Sequence, residues 1–195
     1  MPGSIKIDDG SGNYTILTNA GSLGSDKTLT IPNETATLAT TNGITEVDQW
    51  SLNTSLTSTT DPITQWTRTT GLLLPSGAAI GTGMSESSGV FTFPQTGIYR
   101  VEFKALVRFS AYSGGYTYIY STNDNGTTWD NVSSTEGQGQ TNYDTADSNA
   151  TVILDITNLS NDKVKFRFYD EGSATLAGSS DFFGSGVSFI RLGDT

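Results

Sequence analysis

Acid–base chemistry in this chain would have to run on carboxylates. The sequence contains no His and no Cys. That removes Ser-His-Asp and Cys-His catalysis, imidazole and thiolate metal sites, iron–sulfur clusters and disulfides. The candidate acids are Glu102, Asp130, Glu136, Asp144, Asp147, Asp155, Asp170, Glu171 and Asp181. A glycosidase needs two carboxylates about 5–5.5 Å apart, or about 6.5–9.5 Å apart, across one sugar ring. Asp170 and Glu171 are adjacent at the end of an apolar alternation, so they point to opposite faces or into a turn. Asp144 and Asp147 stand in a polar stretch. No spacing brings a pair onto one face. These acids read as solvated loop residues, and no catalytic residue is assigned.

Other chemistries are equally thin. Any metal would have to be a hard cation on oxygen ligands. Asn123-Asp124-Asn125-Gly126 looks superficially like a calcium loop, but it lacks the leading Asp and the closing Glu of an EF-hand. Turn chemistry explains it, because Asn and Gly tolerate left-handed backbone angles. No metal site and no cofactor is expected. Several Asn-x-Ser/Thr triplets occur, those at Asn33, Asn125 and Asn131 among them, as chance provides in so hydroxyl-rich a chain. Trp129 and Tyr143 lie in polar surroundings within the long segment 121–149. They are the candidate receptor-contact residues, since recognition sits on loops held by a rigid scaffold. An aromatic ring there could stack on a sugar, or Trp129 could cap the core beneath its own loop.

Composition says what must position such a loop. The chain has 195 residues, eight Tyr, nine Phe and three Trp, and few strong helix formers. That favours an all-β fold. The formal net charge is −10, so nucleic acid and anionic lipid surfaces are poor partners. No apolar run approaches the ~18 residues of a membrane span. The first residues lack a basic region followed by an apolar stretch, so no export leader is expected. An acidic, hydroxyl-rich surface without a leader suits a virion component assembled in the host cytoplasm and released by lysis, or a processed chain.

The segments follow from periodicity. Residues 1–45 form a distinct N-terminal element with strand-like pieces at 5–7, 14–17, 28–31 and 36–39, too short to bury a core alone. Residues 46–195 form the main domain. In 99–109 the odd positions are Tyr99, Val101, Phe103, Ala105, Val107 and Phe109, and the even ones include Arg100, Glu102, Lys104 and Arg108. Period two over that length is a strand. Tyr116, Tyr118 and Tyr120 share a face, as do Val152, Leu154 and Ile156, then Val164, Phe166 and Phe168, then Val187 and Phe189. Residues 130–149 read as a long loop or a weak strand pair, and 172–180 as a polar loop. About eight strands with frequent turns suit a two-sheet sandwich or jelly roll.

Within that pattern, Gly89-Val90-Phe91-Thr92-Phe93-Pro94-Gln95-Thr96-Gly97-Ile98-Tyr99-Arg100-Val101-Glu102-Phe103 resembles the signature of the C1q/TNF-like jelly roll. There, a Phe-containing strand and a Pro-x-x-Gly turn precede a Tyr and an alternating strand. Gly186–Gly193 is similar to the last strand of that fold. The resemblance covers about residues 46–195 and is clearest over 89–109. It implies a homotrimer with inner-strand residues at the three-fold axis. Tyr99, Val101, Phe103, Phe166, Phe168 and Phe189 are the trimer or core candidates.

A second, shorter stretch, Lys27-Thr28-Leu29-Thr30-Ile31-Pro32-Asn33-Glu34-Thr35-Ala36-Thr37-Leu38-Ala39-Thr40, resembles an element that precedes the distal domains of phage tail-fibre and related virion proteins. It departs from the usual pattern by having Glu34-Thr35 where an Asp-Gly-type turn is common. Together the two imply a trimeric virion fibre protein. Its N-terminal segment would dock on other tail or capsid proteins, and its knob would contact a host-surface glycan or protein. Two alternatives stay open: a capsid decoration or fibre protein without a receptor role, and a monomeric carbohydrate-binding sandwich.

Overall fold

The computed structural model describes residues 5–8, 14–17, 44–69, 79–141, 144–179 and 184–195. The chain divides into two compact units, Met1–Thr40 and Thr41–Thr195. In the first, β1 (Ile5–Asp8) pairs antiparallel with β2 (Tyr14–Leu17), from Ile5 opposite Leu17 to Asp8 opposite Tyr14. The expected strands at 28–31 and 36–39, and the tail-fibre-like stretch 27–40, lie outside the described residues, as do Tyr143 and Asp181.

The second unit is a sandwich of two antiparallel sheets. Its strands are β3 (Val47–Leu52), β4 (Trp66–Arg68), β5 (Ala79–Ile80), β6 (Ser85–Ser87), β7 (Val90–Thr92), β8 (Gly97–Phe109), β9 (Ser113–Thr122), β10 (Asp130–Gly139), β11 (Thr145–Ile156), β12 (Lys163–Asp170), β13 (Ala174–Leu176) and β14 (Gly186–Gly193). One sheet runs β10-β9-β12-β7-β6. The other runs β11-β8-β14-β3-β4, with β13 beside β8 and β5 beside β3. The chain crosses from one sheet to the other at β5–β6, β7–β8, β8–β9, β10–β11, β11–β12 and β12–β13, which is jelly-roll connectivity. Among the described residues there is no helix, and so none long and apolar enough to cross a membrane.

The alternation in β8 is complete. Every odd position from Gly97 to Phe109 is buried, and no even one is. Phe103 and Trp66 meet Phe166 of the opposite sheet with ring centroids 5.4 and 5.7 Å away. Phe91 packs 5.6 Å from Phe166 and 5.2 Å from Phe189. Each fully buried Phe contributes about 1.5–3 kcal/mol of transfer free energy, and each ring pair about 0.5–1.5 kcal/mol more. Thr117 and Ser148 share a buried hydrogen bond of 3.1 Å between β9 and β11, so the two hydroxyls satisfy each other inside the sandwich.

Glycine decides the geometry at two points. Gly97 opens β8 at φ 141°, and a Cβ there would lie 2.5 Å from Arg191 Nε and from the Gly193 carbonyl oxygen. That ends the Pro94–Gly97 turn, which Tyr99 closes by donating its hydroxyl to Gln95 O at 3.0 Å. Gly139 lies against Phe109, where a Cβ would come within 2.5 Å of the ring and its own Cβ. In the 130–149 stretch the strand alternative holds rather than the loop, with the two strands paired to β9 and β8 and not to each other. Most of it is two long strands, β10 and β11, and the expected 172–180 loop contains β13. The reason is that β10 presents glycine inward at Gly137 and Gly139, so its buried face carries no apolar signal.

Candidate functional site: the outward faces of the sandwich

Tyr99, Val101, Phe103, Phe166, Phe168 and Phe189 are all at most 1% exposed. Their side chains are enclosed between the two sheets of one protomer. They build the core, and none of them is available to line an axis between copies. The residues these strands turn outward form two different surfaces.

The outward face of the seven-stranded sheet carries an aliphatic row. Ile153 on β11 stands opposite Arg100 on β8, which stands opposite Ile190 on β14, then Val47 on β3 and Ile80 on β5. Cross-strand partners lie about 4.7–4.9 Å apart, so the row spans about 19 Å. Ile153 and Ile80 are 55% and 53% exposed. Leu192 is exposed nearby on β14. Arg100 is held by Glu102, 2.8 Å away on the same strand, so its charge has a partner within the face. Lys104 and Arg108 continue the outward side of β8.

The outward face of the five-stranded sheet is aromatic and cationic. Tyr116, Tyr118 and Tyr120 form a column on β9, with centroids 6.5 and 6.0 Å apart. Beside it on β12, Lys165 pairs in register with Tyr120, Arg167 with Tyr118, and Tyr169 with Tyr116. Lys165 Nζ lies 5.3 Å from the Tyr120 ring centroid and 5.0 Å from that of Trp129. It also pairs with Asp61 at 2.9 Å. The Arg167 guanidinium lies 5.3 Å from Tyr118 and 5.4 Å from Tyr169. The Tyr116 hydroxyl donates to Glu171 at 3.1 Å. Hydrogen bonding to Glu136, then desolvation and Glu171, holds that phenol well above its usual range. Trp129 is thus half-buried over Lys165 at the edge of this face.

At the Tyr120 end of the column is a cavity of about 130 Å³, where the end of β9 and the start of β10 meet the end of β11. Asp130, Asp155, Asp162 and Lys163 line it, with Leu154 and Ile156. Asp162 is engaged by the Thr157 and Asn158 amides, both at 2.8 Å.

Asp124 of the calcium-loop-like stretch and two of the candidate acids, Asp144 and Asp170, hold turns. Asp124 accepts the Thr128 amide at 2.9 Å and the Thr122 hydroxyl at 2.7 Å. These bonds, the Thr128 amide foremost, lower its carboxyl to about 2. Asn125 beside it has φ 60°. Asp144 accepts the Gln140 and Thr141 amides, which lower it also. Asp170 accepts the Gly172 and Ala174 amides at 2.7 Å. Among the described residues no group of three or more Asp and Glu is placed to hold a metal.

One polar cluster has no counterpart in the sequence reading. Asp48 is 2% exposed and accepts from Trp50 Nε1, the Met84 amide and Arg68. Glu46 takes the Thr82 and Gly83 amides at 3.0 Å. The two acids clamp residues 82–84 to β3. Burial raises the Asp48 carboxyl, against the lowering effect of its hydrogen bonds and Arg68. Their same-parity placement at 46 and 48 was visible, but apart from Trp50 the partners described lie twenty or more residues away in sequence.

No family model matches the sequence, and no curated protein matches it. Among solved structures, the chain is similar to Eiger TNF from S. frugiperda. The two are 12% identical with a TM-score of 0.59, over 79% of this chain and 96% of that one. It is also similar to murine APRIL at pH 5.0, 11% identical with a TM-score of 0.55, over 75% of this chain and 98% of that one. At this identity the likeness carries the fold. Two antiparallel sheets, this strand order and these neighbours make the second unit an all-β jelly roll of the TNF/C1q-like fold.

Proposed function

We propose that this chain is a trimeric, non-enzymatic TNF/C1q-type module forming the knob of a virion fibre, with residues 1–45 docking on other virion proteins and the knob contacting the host surface. The observation that carries the trimer is the Ile153–Arg100–Ile190–Val47–Ile80 row. A protein with a net charge of −10 carries one row across five strands of this sheet with four aliphatic residues and an arginine paired to Glu102, while Lys104 and Arg108 continue the face beyond it. Such a face gains by being covered, and a second and third copy of a jelly roll can cover it in a closed ring. The TNF-like neighbours support the module. The virion placement, with assembly in the host cytoplasm, draws on the 27–40 stretch and on the acidic, hydroxyl-rich composition.

The deciding experiment is the solution mass by size-exclusion chromatography with light scattering. Three times the chain mass of 20.7 kDa is expected. A monomer would overturn the reading and leave a single carbohydrate-binding sandwich in its place. Mass spectrometry of gradient-purified particles tests the placement, with peptides of this chain expected at fibre stoichiometry.

A further inference from the structure

The cavity at the Tyr120 end of the aromatic column is not used by the fold. Asp130, Asp155 and Lys163 line it and make no side-chain hydrogen bond or ion pair with any described residue. Leu154 and Ile156 supply an apolar strip in the same wall. Its volume of about 130 Å³ is well below the ~300–1,000 Å³ that encloses a whole drug-sized ligand. It suits one ring-sized unit of a molecule that continues outside.

The continuation is laid out beside it. Lys163 is two residues before Lys165 on β12, so both point to the same side of the sheet. Trp129 precedes Asp130, and its ring lies over Lys165. From there the column runs Tyr120, Tyr118, Tyr116 over about 12.5 Å (6.0 plus 6.5 Å between centroids). It is flanked on β10 by Asn131, Ser134 and Glu136, each in register with a tyrosine. This face mixes ring surface with hydroxyl, amide and carboxylate groups and with the Lys165 and Arg167 cations already stacked on its rings, and has little aliphatic area.

We propose that the cavity and the tyrosine column form one binding site for an uncharged, hydroxyl-rich glycan chain, with a terminal sugar in the cavity and the following units along the tyrosines. Carboxylates accept from sugar hydroxyls, the Lys163 ammonium donates to them, and Leu154 and Ile156 meet the C–H face of the ring. Charge sets the class. Three aspartates against one lysine line the cavity. Along the column Lys165 is paired with Asp61 and Arg167 lies between two rings, while Glu136 and Glu171 add carboxylates. Acids therefore outnumber cations over the whole site of a protein already at −10, and uronic or sulfated sugars are repelled. The proposal rests on the reading of this domain as a recognition knob and names what the knob would hold.

The test is a titration of the full chain, followed by the indole N–H resonances of its three tryptophans. Trp129→Phe assigns the Trp129 signal, and core Trp66 and packed Trp50 act as internal references. The probes are maltohexaose, cellohexaose and mannohexaose, with oligogalacturonate as the acidic comparison. A saturable shift confined to Trp129 with at least one uncharged probe, and none with oligogalacturonate, is the expected result. Lys163→Ala and Asp130→Ala are expected to weaken binding about tenfold each. Tyr116→Ala, at the far end of the column, should weaken it severalfold.

Absence of binding by every uncharged probe overturns the site. Preference for oligogalacturonate overturns its chemistry, and full affinity in Lys163→Ala overturns its location. A trimer that binds no saccharide sinks this inference and spares the trimeric knob. A monomer that binds does the reverse.

Discussion

The two outward faces of the sandwich are built on one core and solve exposure in opposite ways. On the seven-stranded sheet, aliphatic side chains stand in a row whose two ends, Ile153 and Ile80, are more than half exposed. On the five-stranded sheet, large rings are also at the surface, but Lys165 and Arg167 each lie between two rings, and hydroxyls find Glu171 and Arg167. The first face exposes side chains without a polar partner, because isoleucine has no polar end to leave in water. The second is largely complete, because tyrosine, lysine and arginine each have an apolar body and a polar tip. Exposed apolar area alone therefore does not identify an oligomer contact. What matters is whether the exposed groups already have partners.

Removing the shared support should have the largest effect and abolish the difference between the faces. Phe103→Ala withdraws a ring that touches both Trp66 and Phe166. It should cost about 3–5 kcal/mol of stability, read by urea denaturation, with assembly lost as a consequence. Next, Ile190→Lys places a charge in the middle of the aliphatic row. The mass by light scattering should fall to that of one chain, while urea stability of the monomeric fold changes by no more than about 0.5 kcal/mol. A trimer that survives this change would show that the row is not the contact.

The opposite face should respond differently. Arg167→Met removes two ring contacts and the bond to the Tyr120 hydroxyl. It should lower stability by about 1 kcal/mol and leave the mass unchanged. A fall in mass would exchange the roles of the two faces.

The smallest effect expected is one of pH. Asp124 titrates at about 2 in the folded chain, below the ~3.9 of an unfolded Asp. Its cap on residues 122–128 is therefore at full strength above about pH 4 and is lost as pH falls toward 2. Acid titration should move the Trp129 signal over that range before the sandwich melts. Asp48 works in the opposite sense. Its raised carboxyl contributes stability at low pH that is lost as pH rises through the folded value.

How much of this could be read without coordinates differs from strand to strand. β8, β12 and β14 announce themselves, because apolar and charged residues alternate and a strand has period two. β10 does not, because its inward positions are Gly137 and Gly139 and the ring that needs that space belongs to Phe109, far along the chain. The parity of Tyr116, Tyr118 and Tyr120 was plain, but not the side they face, since tyrosine serves in a core or at a surface. Only Thr117 and Ile119, both buried, settle it. Trp129 was legible as a residue of interest, but its place over Lys165 was not.

The aliphatic row shows why. Ile153, Arg100, Ile190, Val47 and Ile80 come from five strands and are ordered by four separate registers, none of which is a local property. What the chain alone determined was the class: an all-β protein without thiol or imidazole chemistry, strongly acidic, with its core residues marked by alternation. Those are sums over composition or contacts between near neighbours. The tertiary structure decided which faces turn outward, which charges are already paired and where a cavity remains. Each of those depends on segments distant in sequence being brought to one register, and backbone pairing sets that register across the whole sheet.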